Sequence, residues 1–389
     1  MSSSILFIGI AFLIVISPVL SKITKLPTVV VEILLGSAAV WLGFLDTNNE
    51  VFKYLAKIGF FYLMFLAGLE INLKKFAAQK GNLLKSAIIY FISLYSLSIG
   101  IYIFFDLNPV YIVIIPIVSL GMIMALINEY GKKFKWLEIV LTVGVIGEII
   151  SISAIVIYES YIHNGISLAL FENMSIFIVV LFLIYYSFKL LNILFWWFPE
   201  LRMFIMPEDD SKVESVRISA ALFILLISTM SILHIDMVLG AFFAGIYIAN
   251  FFKHKKDLPH TLHKVGFGFL VPVFFIYVGT TMDLNLIFSA EILYHALLIL
   301  SALVFVRVVS SFLAYGSLLS PSETFLLALG DSMPLTFIIA IATIAYEATL
   351  ISKNEYLSLI VAGMLSGVII MSVLKFLISY LYKTKNTEV

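Results

Sequence analysis

Apolar residues fall into thirteen long runs along the chain, separated by short polar or basic breaks. The runs cover residues 5–20, 28–45, 54–73, 83–105, 109–128, 137–159, 172–195, 214–233, 236–252, 265–281, 289–313, 322–347 and 355–382. Most come close to the ~20 residues that a helix needs to cross the hydrocarbon of a bilayer. The pattern therefore predicts an all-α polytopic membrane protein with 13 transmembrane helices. The first run, within MSSSILFIGIAFLIVISPVL, lacks the positive n-region of a cleaved signal peptide and reads as the first membrane helix.

The breaks carry the orientation. Lysine and arginine cluster at 22–25, 74–85, 132–135, 202–217 and 253–264, which are the odd-numbered loops, and again at Lys383 and Lys385. The even-numbered loops hold mainly Asp106, Glu159, Glu172, Asp236, Asp283 and Glu347, with Lys53, Lys57 and Lys353 as exceptions. The positive-inside rule puts the odd loops in the cytoplasm. The N-terminus is then outside and the C-terminus inside, as an odd number of crossings requires. The basic loops are otherwise membrane-lipid headgroup or partner sites.

Six runs precede the seventh and six follow it. An odd linking helix inverts the second half relative to the first, the inverted-repeat plan of many secondary transporters. This reading divides the chain into a six-helix repeat at 1–160, a linking helix and cytoplasmic connector at 161–213, and a second six-helix repeat at 214–389. Equivalent runs in the two halves are interrupted. Run five carries Pro116 and Gly121, and run twelve carries Gly330 and Pro334. Proline removes a backbone donor and clashes with the preceding turn, so both helices are expected to break and cross at the transport site. The alternative is a pair of ordinary proline kinks.

Two residues stand out chemically. Glu148 lies near the middle of LEIVLTVGVIGEIISISAIVI at 137–157. A carboxylate at that depth survives only if neutralised, paired or facing a polar cavity. Arg307 lies inside ALLILSALVFVRVVSSFLAYG, far enough from either end to make snorkelling difficult. It stays protonated and needs a buried anion, for which Glu148 and Asp331 are the candidates. A purely structural carboxyl or ion pair is the plainer reading of each.

Composition narrows the classes. The chain is 62% hydrophobic and 12% charged with zero net charge, which excludes a basic nucleic-acid surface. There is no cysteine, so disulfides and thiolate sites are excluded. No HExxH motif, phosphate loop or nucleophile–base constellation suggests an enzyme, and no cofactor is expected. Glu32 and Glu70 near run ends read as capping or scaffold groups, and His234, His254, His260 and His263 as solvated.

Several motifs resemble the monovalent cation:proton antiporter family 2. They are TKLPTVVVEILLGSAAVWLG at 24–43, FYLMFLAGLEINL at 61–73, SLGMIMALINE at 119–129, Gly147–Glu148, VLGAFFAGIYIANF at 238–251 and FGFLVPVFFIYVGTTMDL at 267–284. The resemblance implies a scaffold from 1–75 and 214–285, a mobile ion-binding core from 83–160 and 289–382, and a homodimer. It puts the ion- and proton-binding carboxylate on Glu148, where aspartate is usual, and the core basic residue on Arg307. The residue before that carboxylate is Asp, Asn or Gln in the family and Gly147 here. The family's Ser-Thr pair falls on Ser119 and Leu120, and Asp331 stands where glutamate is frequent. The sequence ends at Val389, and no nucleotide-binding regulatory domain is expected after it.

The expected activity is exchange of Na+ or Li+ for H+ by alternating access in a bacterial inner membrane. Either ion neutralises Glu148, so the two compete for one site. Ser119, carbonyls near Gly121, and Ser151 are candidate further ligands. Ser151 lies three residues beyond Glu148 on the same helix face. With Gly147 in place of a second acid, one titrating group remains on that helix, and exchange is expected to be electroneutral; Asp331, a further candidate ligand, makes it electrogenic if it also cycles protons. Potassium/proton exchange and a membrane sensor or channel-like subunit on the same fold are the alternatives.

Overall fold

A computed structural model describes residues 3–45, 49–70, 82–119, 134–164, 212–232, 237–251, 257–282 and 289–383, with scattered positions at 122–130, 175–197 and 286. Every regular element among the described residues is a helix. In chain order these are α1 (Ser3–Thr24), α2 (Thr28–Trp41), α3 (Glu50–Leu69), α4 (Asn82–Phe105), the short α5 (Tyr111–Ile114), α6 (Lys135–Asn164), α7 (Lys212–Ile232) and α8 (Met237–Phe251). Then follow α9 (Asp257–Thr280), α10 (Ala290–Tyr315), α11 (Pro321–Asp331), α12 (Leu335–Glu347) and α13 (Lys353–Tyr382). Among the described residues, eight spans are long and apolar enough to cross a membrane, with α11 and α12 together forming one of them. The expected run at 172–195 falls largely outside the described residues, as do positions 120, 121, 124, 125 and 128 of the run at 109–128. Helices α1, α4 and α7 expose large apolar side chains such as Val15, Phe104 and Ile232. Lipid contact makes that exposure favourable, and the protein is an integral membrane protein.

The chain forms two compact units. The first comprises Met1–Lys53, Lys74–Ile155 and Phe275–Val389, and the second Tyr54–Leu73 and Val156–Phe274. In the first unit α10 is the central helix and lies against α4, α11 and α13. Local sequence sets its boundaries. Ser289 caps α10 by accepting from the Ile292 amide at 3.3 Å. The SPSE stretch at 320–323 starts α11 with a capping box: the Glu323 carboxylate accepts from the Ser320 amide at 3.1 Å, and Pro321 fills the first turn. SKNE at 352–355 does the same for α13, with 2.8 Å from the Ser352 amide to Glu355.

The proline interruptions are real breaks. After α5 the backbone leaves the helix at Ile115 and Pro116 and runs without regular structure through Ile117 to Ser119. The second break falls on Ser332, Met333 and Pro334, and α12 restarts with the Ile338 amide donating to the Pro334 carbonyl at 2.9 Å. Gly330, expected at this break, instead lies in the last turn of α11. The helix continues through it because its packing is ordinary: a methyl there would sit 3.4 Å from Trp136.

Reciprocal glycines bring helices into backbone contact inside each unit. In the first, a Cβ on Gly36 of α2 would strike the Ile276 carbonyl, and one on Gly279 the Ile33 carbonyl. In the second, Gly68 of α3 abuts the Phe242 carbonyl and Gly245 of α8 the Phe65 carbonyl. Small residues at such crossings let apolar helices associate by close packing where water supplies no driving force. Gly245→Leu is expected to lower the thermal midpoint of detergent-purified protein by about 5 °C or more, since backbone cannot yield as a side chain does. A midpoint within ~1 °C of wild type contradicts this packing account.

Candidate functional site

The site lies wholly in the first unit, where the two interrupted segments meet α4, α6 and α10. Arg307 is fully buried on α10. Most of its donors go to backbone rather than to an acid. Nε donates to the Asp331 carbonyl at 2.9 Å, and Nη1 to the carbonyls of Ile115 at 2.8 Å and Leu303 at 3.1 Å. Nη2 donates to the Ile117 carbonyl. The prolines that stop both helices leave carbonyls without amide partners, which membrane depth tolerates only where protein or a water-filled cavity satisfies them. One guanidinium, with five donors in a planar fork, takes carbonyls from both interruptions.

Asp331 supplies the charge partner expected for Arg307, with Oδ2 3.5 Å from Nε. The same oxygen accepts from the Tyr90 hydroxyl of α4. Oδ1 has no hydrogen-bond partner among the described residues. The pair places opposite charges together in a buried setting, where either alone is costly.

Glu148 is 1% exposed on α6, one turn before the buried Ser151. Ser151 Oγ accepts from the Val118 amide at 3.0 Å, so α6 caps the interrupted segment directly. Gly147 completes this contact. A Cβ there would lie 2.6 Å from Val118 Cβ, so Val118 occupies the space of a side chain at 147. Gly147 and Ser151 are four residues apart and hold one helix face against Val118. Glu148 flanks that face and is thereby set beside the break. Ser119, also buried, forms a 2.9 Å hydroxyl–hydroxyl bond with Thr336 at the start of α12.

The structure thus brings Arg307, Asp331, Pro116, Ser119 and Ser151 together, with Pro334 ending the second interruption and Gly330 one residue before Asp331. Gly121 lies outside the described residues. Sequence reading missed Tyr90 and Thr336. Neither lies in a recognisable motif, and both act through a hydroxyl that only the fold brings near. Glu32, read as a capping or scaffold group, is instead buried inside α2, with Ser17 Oγ 3.4 Å from its carboxylate. His263 stands 3.9 Å from Glu70 and is partly buried.

By formal charge Arg307 and Asp331 cancel as a pair, and an ionised Glu148 is neutralised by one proton or one monovalent cation. No group of three or more His, Cys, Asp or Glu able to hold a metal ion occurs among the described residues.

Comparison with known proteins shows the family. The family described as "Sodium/hydrogen exchanger, transmembrane" matches residues 8–379. The chain is 25% identical to a Na(+)/H(+) antiporter of Enterococcus hirae, over 97% of this chain and 99% of that protein. It is 26% identical to the "Putative Na(+)/H(+) antiporter YjbQ" of Bacillus subtilis (strain 168), over 94% of this chain but only 61% of that protein's length. In fold it is similar to the sodium proton antiporter MjNhaP1 of Methanocaldococcus jannaschii, with a TM-score of 0.62 and 14% identity, over 96% of this chain and 97% of that one. These relatives are ion transporters and not enzymes. With a family match that runs from α1 into α13, the chain belongs to the sodium/hydrogen exchanger family.

Proposed function

We propose that this chain exchanges Na+ or Li+ for H+ by alternating access, one cation for one proton. The observation that carries this reading is Glu148, 1% exposed on α6, the helix whose Gly147 and Ser151 lie against the broken segment at Val118. Glu148 is then the group whose charge changes during turnover. Protonated or cation-loaded, Glu148 is neutral and the unit is free to move. With Glu148 empty and ionised, movement across the bilayer is opposed by the cost of carrying a buried charge through hydrocarbon. That rule alone couples the two fluxes. Gly147 supports the one-for-one count, because Val118 fills the place of a neighbouring acid.

The finer architecture belongs to the same proposal. Thirteen crossings in two inverted six-helix halves put the N-terminus outside and the C-terminus in the cytoplasm of a bacterial inner membrane, and the protein works as a homodimer. The basic loops and the bacterial relatives support this.

The test is purified protein in liposomes with an internal pH dye. Outward-directed Na+ and Li+ gradients are expected to drive proton uptake. A potential imposed with a potassium ionophore is expected to leave the Na+-driven rate unchanged. Flux driven equally by K+ replaces the cation assignment, and acceleration by membrane potential rejects the one-for-one count.

A further inference from the structure

We propose that Thr336 is a ligand for the transported cation and sets its selectivity, supplying with Ser119 a pair of hydroxyl oxygens from the two interrupted segments. This rests on the exchange reading above and adds a residue to it.

Three observations carry it. First, Ser119 Oγ and Thr336 Oγ1 stand 2.9 Å apart, one on each broken segment, so the segments meet through hydroxyls. Second, every residue from Leu326 to Thr343 is buried except Thr336. Thr336 is thus the position in this stretch that the packing leaves partly accessible. Third, several other oxygens nearby are already engaged, with Asp331 Oδ1 an exception. The carbonyls of Ile115, Ile117 and Asp331 accept from Arg307, and Ser151 Oγ accepts from the Val118 amide. Position 120 is leucine and brings no side-chain oxygen.

A small alkali cation leaves water only when several oxygens replace its hydration shell. Glu148 supplies charge and one or two of these oxygens. The Ser119–Thr336 pair is the further source that joins both interrupted segments. In the empty site the two hydroxyls satisfy each other, which removes the cost of leaving them bare. On loading, both turn their lone pairs to the cation and donate their protons elsewhere. No covalent bond changes. Lithium and sodium hold water more tightly than potassium, so the loss of one oxygen penalises them more.

The test compares wild type with Thr336→Val, which keeps the branched shape and removes the oxygen, and with Thr336→Ser, which restores it. Proton flux in liposomes is measured against NaCl, LiCl and KCl, and thermal stabilisation of the purified protein by the same salts is titrated in parallel. Thr336→Val is expected to raise the Na+ and Li+ KM by about tenfold, to move the K+ value much less and to leave kcat within about threefold, with Thr336→Ser returning to near wild type. The half-stabilising NaCl concentration is expected to rise in step. Unchanged KM and unchanged half-stabilising concentration overturn the proposal even if the variant melts earlier, because that is the mark of a latch between helices. If wild type carries no cation-driven proton flux, the exchange reading fails by itself. The NaCl titration then still decides Thr336, with equal midpoints or no stabilisation counting against it. Should Thr336→Val not fold, Ser119→Ala carries the same expectation and the same refutation.

Discussion

Glu148→Gln is expected to abolish cation-driven proton flux, to at least ~100-fold below wild type, without loss of folded protein. Glutamine matches the shape of glutamate but neither releases a proton nor offers a negative charge to a cation. It leaves position 148 permanently neutral, the state in which movement is allowed, yet with nothing to carry. Stability should move the other way. A buried ionisable group costs several kcal/mol in its charged form, and the amide removes that cost. The thermal midpoint in detergent is therefore expected at or above the wild-type value, and Glu148→Asp is expected to keep measurable exchange with altered apparent cation affinity. The separation of flux from stability is the informative result. Flux in Glu148→Gln within about tenfold of wild type removes this residue from the mechanism.

Arg307 has the opposite signature. Arg307→Met strips donors from the carbonyls of Ile115, Ile117 and Asp331 and leaves the Asp331 carboxylate buried without its cation. Breaking a buried pair by removing one partner costs about 3–5 kcal/mol, and each orphaned carbonyl adds to that. Loss of most folded protein, or a large fall in thermal midpoint, is expected. Arg307→Lys does not rescue it fully, because a compact ammonium cannot reach carbonyls spread over two interrupted segments. Adding Asp331→Asn to Arg307→Met is expected to restore part of the stability by removing the stranded charge, while the unpaired carbonyls keep it below wild type. If Arg307→Met melts within about 2 °C of wild type, the guanidinium does not hold the breaks together.

Much of this was legible in the sequence because the membrane restricts what is allowed there. Long apolar runs, prolines inside two of them, one acid and one arginine at depth are rare enough to be read singly. What escaped reading has a common cause. The main partners of Arg307 are backbone carbonyls, and a carbonyl looks the same under every residue name, so pattern suggested only acids. Tyr90 is one of 19 tyrosines, and nothing local marks it as the one that donates to Asp331. Glycine near proline usually signals a break, yet Gly330 stays within the helix. The turn at Ser332–Pro334 suffices, and the helix has no reason to end sooner. Thr336 gains its interest only from Ser119, 217 positions earlier in the chain.

The fit of Val118 into the space above Gly147 also bears on how such a transporter changes over generations. Gaining a second acid at 147 requires room that Val118 now fills, and shrinking Val118 first opens a void with nothing to occupy it. Each change alone is a loss, and only the two together yield a protein able to carry a different number of protons. On the one-for-one count proposed above, a lineage holding this pair is kept at that ratio by the shape of a neighbour, without any need for the alternative to be inferior.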